Sequence, residues 1–300
     1  MIKIPINHDD LYTKTIDKCN KLIDLNYWDT LDKETLSSWL NNFETKEEKY
    51  LAISILNRLI FRNKKSIETF GANIFHIILP QILSDNSIYE IESIHIWETM
   101  LRLPENRHVF PFRFSTIENV DNNPAKSGSI IYRQLQREHF DKTLGITCSK
   151  INSLPEEIKA IILFDDIIGT GEQFSKFYSS YHLSKFDRKI IYIPLAGYKK
   201  NTDKLNSKFN NVIIHPVEDI TESCKFFNED NKYLNQKDIS TLREFFHFYN
   251  SFCKKKNIKI KQTLGHGDMG LTYCFSDSTP NNNLSLLSYK SEEWLELLKR

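Results

Sequence analysis

The stretch LFDDIIGTGEQF, residues 163–174, places two adjacent carboxylates directly after an apolar run and follows them with a short loop rich in glycine. The run AIILF, residues 160–164, is continuously apolar, which is typical of a strand buried on both faces of a parallel sheet. Aromatic residues then recur at helical spacing at Phe174, Phe177, Tyr178 and Tyr181. The stretch predicts a strand, a loop and a helix, with the acidic pair where an open α/β sheet binds its ligand.

Two later apolar runs repeat this pattern. KIIYIPLAG (189–197) and NVIIHPV (211–217) are also continuously apolar, and NTDKLNSKF (201–209) can form a short crossover helix between them. Successive strand–helix units of this kind predict an α/β core with a parallel sheet.

The first part of the chain has a helical pattern instead. Thr45 and Glu48 have the spacing of a capping box, and apolar residues repeat every four positions in the segment that follows. The proline-containing segment LPENRHVFPFRF (103–114) interrupts the periodicity. We therefore expect a helical domain over residues 1–103 and an α/β domain over residues 104–300.

The end of the chain is less regular. Its pattern predicts, in order, a strand, a loop, a strand and a closing helix over IKIKQTL (258–264), GHGDMG (265–270), LTYCF (271–275) and SEEWLELL (291–298). The glycines of the loop suit either a hairpin connection or a mobile lid. In a lid, His266 and Asp268 would be available for proton transfer.

Composition excludes several classes of protein. The formal net charge is +1, and no apolar run approaches the roughly 20 residues that a membrane-spanning helix needs. The start, MIKIPINHDDLY, lacks the pattern of a secretory signal, so we expect a cytoplasmic protein. The five cysteines form no C-x-x-C pair, which argues against a zinc knuckle. The basic run KKKNIKIK (254–261) is the main feature that would favour a nucleic-acid-binding subunit.

The acidic loop has the chemistry to bind a sugar phosphate. Backbone amides at the start of a helix bind phosphate, and here they belong to Thr170, Gly171, Glu172 and Gln173. The carboxylates of Asp165 and Asp166 repel phosphate, but they accept hydrogen bonds from sugar hydroxyls or hold a hydrated divalent cation. A P-loop is excluded because no lysine follows Gly171, and Phe174 stands where a dinucleotide-binding loop has its third glycine.

A second candidate segment precedes the acidic loop. Lys126, Ser127, Gly128 and Ser129 combine a cation, hydroxyls and a glycine, as a short pyrophosphate-binding loop does. Either serine could instead cap the helix that follows, and the spacing leaves both interpretations open. Arg133 and Arg137 lie one turn apart on that helix and could reach a pyrophosphate, although solvated arginines are the more common case; Arg133 is the predicted ligand-binding residue.

An apolar strand, two acids, three intervening residues and Thr-Gly together resemble the ribose-phosphate loop of type I phosphoribosyltransferases. The resemblance implies that Asp165 and Asp166 hold the ribose of phosphoribosyl pyrophosphate and that residues 170–173 hold its 5-phosphate. This chain departs from the pattern in having Gly169 where many members have an acid or alanine, so a side-chain base is missing there. It also has Gln173 where the loop ends in Thr or Ser, and Glu172 adds a negative charge.

A wider resemblance covers most of the chain. SWLNNFETKEEKYLAISILNRLIFR (38–62), KSGSIIYRQ (126–134), the acidic loop and LGHGDMGLTYCFSDSTPNNNLSLL (264–287) are similar to the phosphoribosyltransferase-like effector family of bacterial conflict systems. The resemblance implies a helical N-terminal region and a type I phosphoribosyltransferase-like parallel-sheet core.

It further implies a toxic effector that acts on nucleotides in antiphage defence. A Mg²⁺ ion would lie at Asp165 and Asp166, and the ligand would be phosphoribosyl pyrophosphate or a nucleotide. The partners implied by retron-type members are a reverse transcriptase and its DNA–RNA product. The alternative is a non-catalytic nucleotide sensor or scaffold subunit.

Overall fold

The computed structural model of the chain describes residues 2–117, 127–258 and 263–300. The chain divides into two compact units, one formed by Met1–Lys65 with Thr221–Arg300 and the other by Ser66–Ile220. This division does not coincide with the expected boundary at residue 103. Residues 66–103 group with the sheet, and residues 221–300 group with the first helices. The sequence did not predict this grouping, because an apolar pattern shows that a helix is buried but not in which core.

The elements of the described residues are as follows. The α-helices are α1 (His8–Asp24), α2 (Lys33–Leu40), α3 (Lys46–Arg58), α4 (Lys64–Asn73), α5 (Leu79–Asp85), α6 (Ile94–Leu101), α7 (Ser127–His139), α8 (Glu172–Ser180), α9 (Lys199–Lys208), α10 (Leu242–Lys255) and α11 (Ser285–Ser288). The strands are β1 (Ile60–Arg62), β2 (Phe112–Thr116), β3 (Ala160–Ile168), β4 (Lys189–Tyr198), β5 (Val212–Ile214), β6 (Glu218–Ile220) and β7 (Tyr273–Phe275).

A parallel sheet forms the centre of the unit Ser66–Ile220. Its described strands run in the order β2-β3-β4-β5, and β6 pairs with the far end of β4. The predicted α/β class with a parallel sheet is confirmed. Strand β3 is longer than its apolar run, since it continues through the two aspartates to Ile168.

Helices cover both faces of this sheet. Side chains alternate along a strand, so Ile161 and Leu163 of β3 face one side, where they share a core with Phe174 of α8. On the other side, the ring of Phe164 lies 5.6 Å from that of Phe114 and 5.9 Å from that of Phe75. Burial on both sides explains why β3 is continuously apolar up to Asp165.

The other unit joins the two ends of the chain around one core. Strand β1 pairs in parallel with β7, with Ile60 opposite Tyr273. Trp294 is fully buried, and its ring lies 5.5 Å from that of Phe43 and 5.8 Å from that of Phe252. The segment from Thr221 onward therefore completes the core of the first three helices.

The closing helix predicted over residues 291–298 is wrong. Those residues form turns, and the amide of Ser291 donates to the carbonyl of Trp294 at 3.1 Å. Trp294, Leu297 and Leu298 are buried, so their spacing reflects insertion into the core. A short apolar pattern does not distinguish these two causes.

The glycine-rich loop of residues 265–270 is tied to the neighbouring segment. The amide of His266 donates to the carbonyl of Asn281 at 2.7 Å, and Asn282 Nδ2 donates to the carbonyl of His266 at 2.9 Å. The amide of Leu271 donates to the carbonyl of Asn282 at 3.1 Å. These bonds favour a fixed connection over a mobile lid.

Asn283 anchors this region to strand β7. Its side chain accepts from the amide of Tyr273 at 2.7 Å and donates to the carbonyls of Tyr273 and Pro280 at 2.7 and 2.9 Å. We expect Asn283→Ala to lower the free energy of unfolding by about 2–3 kcal/mol, because buried backbone groups lose their partner. Urea denaturation followed by circular dichroism measures this change.

The matched control is Asn281→Ala. Asn281 is an exposed asparagine of the same segment, and its truncation should change the free energy of unfolding by less than about 0.5 kcal/mol. Equal losses in the two variants would contradict the anchoring role of Asn283.

Candidate functional site

The acidic pair lies within strand β3. Asp165 is opposite Pro194 of β4, and the strand continues past Asp166 to Ile168. Both side chains are buried, with 2% of Asp165 and 5% of Asp166 exposed. The pair is thus near the carboxyl end of the strand, as predicted. It lies within the paired part of β3 and not in the loop that follows.

The carboxylate of Asp165 is oriented by two hydrogen bonds. The hydroxyl of Tyr192 donates to Oδ2 at 2.8 Å, and the amide of Asp166 donates to Oδ1 at 3.0 Å. Tyr192 lies on β4, and its ring stacks on that of Phe174 with centroids 4.8 Å apart. The position of this carboxylate is therefore coupled to the first turn of α8.

Sequence reasoning missed Tyr192. It lies in the run KIIYIPLAG, where an aromatic residue is read as part of the core. Its ring is indeed buried, with 1% exposed. The sequence does contain one indication of its role. Tyr192 carries the one hydroxyl of that run, and a buried hydroxyl needs a hydrogen-bond partner.

The start of helix α7 approaches the same carboxylate. A Cβ placed on Gly128 would lie 2.5 Å from Asp165 Oδ1 and 3.1 Å from Thr116 Oγ1, so only glycine allows this approach. Ser127, Gly128 and Ser129 form the first turn of α7, and neither serine precedes it as a cap. The structure thus places this predicted segment beside the acidic pair, although Lys126 lies outside the described residues.

Arg133 is not brought to the acidic pair. It is exposed on α7 and follows Gly128 by five residues, which corresponds to about 140° around the helix axis. Gly128 faces Asp165, so Arg133 lies on another face of the helix. Its role in binding pyrophosphate stays a prediction.

The loop after β3 is fixed at several points. Asn201 Nδ2 of α9 donates to the carbonyl of Gly169 at 2.9 Å. The amide of Glu172 donates to the hydroxyl of Thr170 at 3.4 Å. Glu172 and Gln173 are exposed in the first turn of α8, where backbone amides lack acceptors within the helix. The predicted phosphate-binding residues, 170–173, therefore form the end of the loop and the start of α8.

The backbone conformation and the packing at position 171 both require glycine there, for reasons that the sequence did not indicate. Its φ is +77°, in the left-handed region that favours glycine. A Cβ at this position would lie 2.5 Å from Cδ1 of Leu205 on α9. The glycine is thus required by the turn and by the packing of α9, whether or not a phosphate binds.

The side chains present limit what the site could hold. Within the described ranges, no group of three or more His, Cys, Asp or Glu residues is arranged to bind a metal ion. A cation at Asp165 or Asp166 would therefore take few ligands from the protein and its remaining oxygens from ligand or water, which is a common arrangement for Mg²⁺. None of the five cysteines, all of which the structure describes, forms a disulfide. In the part of the chain that the structure describes, no helix has the length and apolar character to cross a membrane.

Comparison with protein families adds to this geometry. The model of the PRTase-CE family matches residues 36–300. This chain belongs to the PRTase-CE family. The PRTase-CE family is a family of phosphoribosyltransferase-like effectors. Neither the curated proteins nor the solved structures contained a match.

The match confirms the wider resemblance, which is to a phosphoribosyltransferase-like effector family. The PRTase-CE region includes the acidic loop, the first turn of α7 and the segment from Thr221 to Arg300. The phosphoribosyltransferase-like fold, an α/β core with a parallel sheet and a helical N-terminal region, is likewise confirmed. The match thus covers the whole of the unit Ser66–Ile220 and the other unit from residue 36 onward.

The bond between Tyr192 and Asp165 can be tested in the PRTase-CE protein by Tyr192→Phe. We expect a loss of about 1.5–3 kcal/mol in the free energy of unfolding, since the variant removes a hydrogen bond to a buried carboxylate. The loss should shrink in an Asp165→Asn background, where the acceptor is uncharged. Urea denaturation of the single and double variants gives both values.

Tyr178→Phe provides the matched control. The hydroxyl of Tyr178 donates to Asn211 Oδ1 at 2.9 Å, so its removal breaks a bond between neutral groups on the same face of the sheet. We expect a smaller loss, about 0.5–1.5 kcal/mol. A larger loss for Tyr178→Phe than for Tyr192→Phe would contradict the importance of the bond to Asp165.

Proposed function

We propose that the unit Ser66–Ile220 binds phosphoribosyl pyrophosphate or a nucleotide at the acidic loop and acts on nucleotides as the effector of an antiphage system. The observation that carries the proposal is the position of the Asp165 carboxylate, between Tyr192 of β4 and the first turn of α7. The loop that turns into α8 follows on the same strand. The family match supports the phosphoribosyltransferase-like part of this proposal.

Each part of the site would contact a different part of the ligand. The carboxylates of Asp165 and Asp166 would accept hydrogen bonds from the ribose hydroxyls. The amides of residues 170–173, together with the positive end of α8, would bind the 5-phosphate. The first turn of α7 would lie near the pyrophosphate, because Gly128 brings that helix start to the acidic pair.

A Mg²⁺ ion fits the acidic pair. Both carboxylates are buried, with 2% of Asp165 and 5% of Asp166 exposed, and burial of negative charge favours a nearby cation or hydrogen-bond donors. When bound, the ion would neutralise charge that develops on a departing pyrophosphate. Asp165 and Asp166 would supply the protein ligands, and the ligand and water would supply the others.

Catalysis at such a site needs little acid–base chemistry. The reaction would exchange the group on the anomeric carbon of ribose, either pyrophosphate or a nucleobase, for an acceptor. The protein would contribute by holding the sugar in position and by excluding water. Gly169 supplies no side-chain base in the loop, which weighs against turnover and favours the second candidate.

The second candidate is a nucleotide sensor or scaffold without turnover. Glu172 favours it, because this carboxylate is exposed in the first turn of α8 and repels a phosphate bound there. In either case the proposed setting is the cytoplasm. The proposed partners are a reverse transcriptase with its DNA–RNA product or another protein of the defence system.

Ligand binding is tested by thermal unfolding with phosphoribosyl pyrophosphate or a nucleoside monophosphate, each with and without Mg²⁺. A ligand at 100 times its Kd stabilises a protein by about 2.7 kcal/mol, so the midpoint should rise by several degrees. The double variant Asp165→Asn, Asp166→Asn should abolish the rise. The control Asp85→Asn, Asp203→Asn changes two exposed carboxylates of the same unit and should preserve it. If neither ligand shifts the folded wild type, the binding proposal fails.

Catalysis and scaffolding are separated in cells. In a catalytic effector, Asp165→Asn with Asp166→Asn should abolish toxicity and phage protection while expression and partner assembly stay unchanged. Circular dichroism without ligand checks that the double variant folds, since Asn at position 165 weakens the bond from Tyr192. Full protection at wild-type expression would exclude the enzyme and leave the sensor or scaffold.

A further inference from the structure

A groove of about 860 Å³ lies at the amino-terminal edge of the sheet. Its lining includes Lys159, which precedes β3, and Lys189, the first residue of β4. Lys159 precedes Asp165 by six residues, so the two lie about 20 Å apart along the strand. The groove is thus distinct from the acidic loop, although both belong to the unit Ser66–Ile220.

The lining carries cations without ion-pair partners. Lys159, Arg188 and Lys189 form no ion pair with any carboxylate of the described residues. Arg188 Nη2 donates to the carbonyl of Leu154 at 3.0 Å, whereas Nη1 is buried without a hydrogen-bond partner. A buried guanidinium nitrogen without an acceptor destabilises a fold. An anionic ligand in the groove would interact favourably with the charge that Arg188 carries there.

An aromatic ring stands beside these cations. The guanidinium carbon of Arg188 lies 5.3 Å from the ring centroid of Phe186, which also lines the groove. Asn211 Nδ2 donates to the carbonyls of Leu183 and Phe186 at 3.0 and 3.1 Å, which fixes the backbone that carries this ring. A flat apolar surface next to cations suits a ligand with a planar ring and a charged tail.

We propose that this groove binds a nucleoside triphosphate. Lys159 and Lys189 contact the phosphates, and the base stacks on the planar Arg188 guanidinium, which covers the ring of Phe186. The lining also contains Glu156 and Asp187. Their carboxylates accept hydrogen bonds from ribose hydroxyls. The volume is within the range of small-molecule sites.

The test measures binding of ATP by isothermal titration calorimetry to the full chain carrying Asp165→Asn and Asp166→Asn, so that the acidic loop does not contribute. ATP should bind this chain, and saturating phosphoribosyl pyrophosphate should not displace it. Adding Lys159→Gln with Lys189→Gln should weaken the Kd at least about tenfold, through the loss of charge-assisted bonds. Arg188→Lys should also weaken it, because the planar fork is lost while the charge is kept.

The matched control is Lys200→Gln with Lys204→Gln, which removes two exposed cations of the same unit outside the groove and should leave the Kd unchanged. Circular dichroism melting confirms that each variant folds. Three outcomes would overturn the proposal: no ATP binding, equal weakening by the control pair, or equally tight binding of tripolyphosphate or a single-stranded oligonucleotide. Failure of phosphoribosyl pyrophosphate to stabilise the wild type would leave these results intact, since they depend on different residues.

Discussion

A buried carboxylate, that of Asp165, places the strictest requirement on the sheet. Transferring a charged group from water into a protein interior costs several kcal/mol by typical estimates, and hydrogen bonds must compensate. The pairing of β3 with β4 sets Leu163 opposite Tyr192, which brings the tyrosine hydroxyl within 2.8 Å of the carboxylate. A slip of one residue would turn the tyrosine to the other face of the sheet and remove this donor. The register of the two central strands and the presence of a buried acid thus depend on each other.

Local patterns were sufficient to predict the centre of the fold. Continuous apolar runs predicted β3, β4 and β5 because strands covered on both faces have no polar alternation. The grouping of segments into units was not predictable in this way. Strand β1 pairs with β7 across more than two hundred residues of sequence, and that pairing leaves no local trace. The same limit explains the predicted helix at residues 291–298, where burial of Trp294 produced an apolar pattern without a helix.

The candidate site was predicted in its residue types but only partly in its physical causes. The acidic pair and Gly128 were selected for ligand chemistry, and the structure places them together. Gly171 was selected for close approach to a phosphate, yet Leu205 and a φ of +77° already require glycine there. The bond from Tyr192 to Asp165 was not predictable, because the partner of a hydroxyl depends on strand register, which one sequence does not specify. Arg133 shared a helix with Gly128 but not a face.

The division of the chain also has a consequence for synthesis on the ribosome. Residues 66–220 form a unit whose segments are contiguous, so it can fold as soon as it leaves the exit tunnel. The first helices, in contrast, must wait for residues 221–300 before their core is complete. Synthesis of those 80 residues takes roughly 4–16 seconds at about 5–20 residues per second. During this interval a nascent chain would hold a folded sheet and an unfinished helical unit, which makes the apolar faces of α1 to α3 natural targets for chaperones.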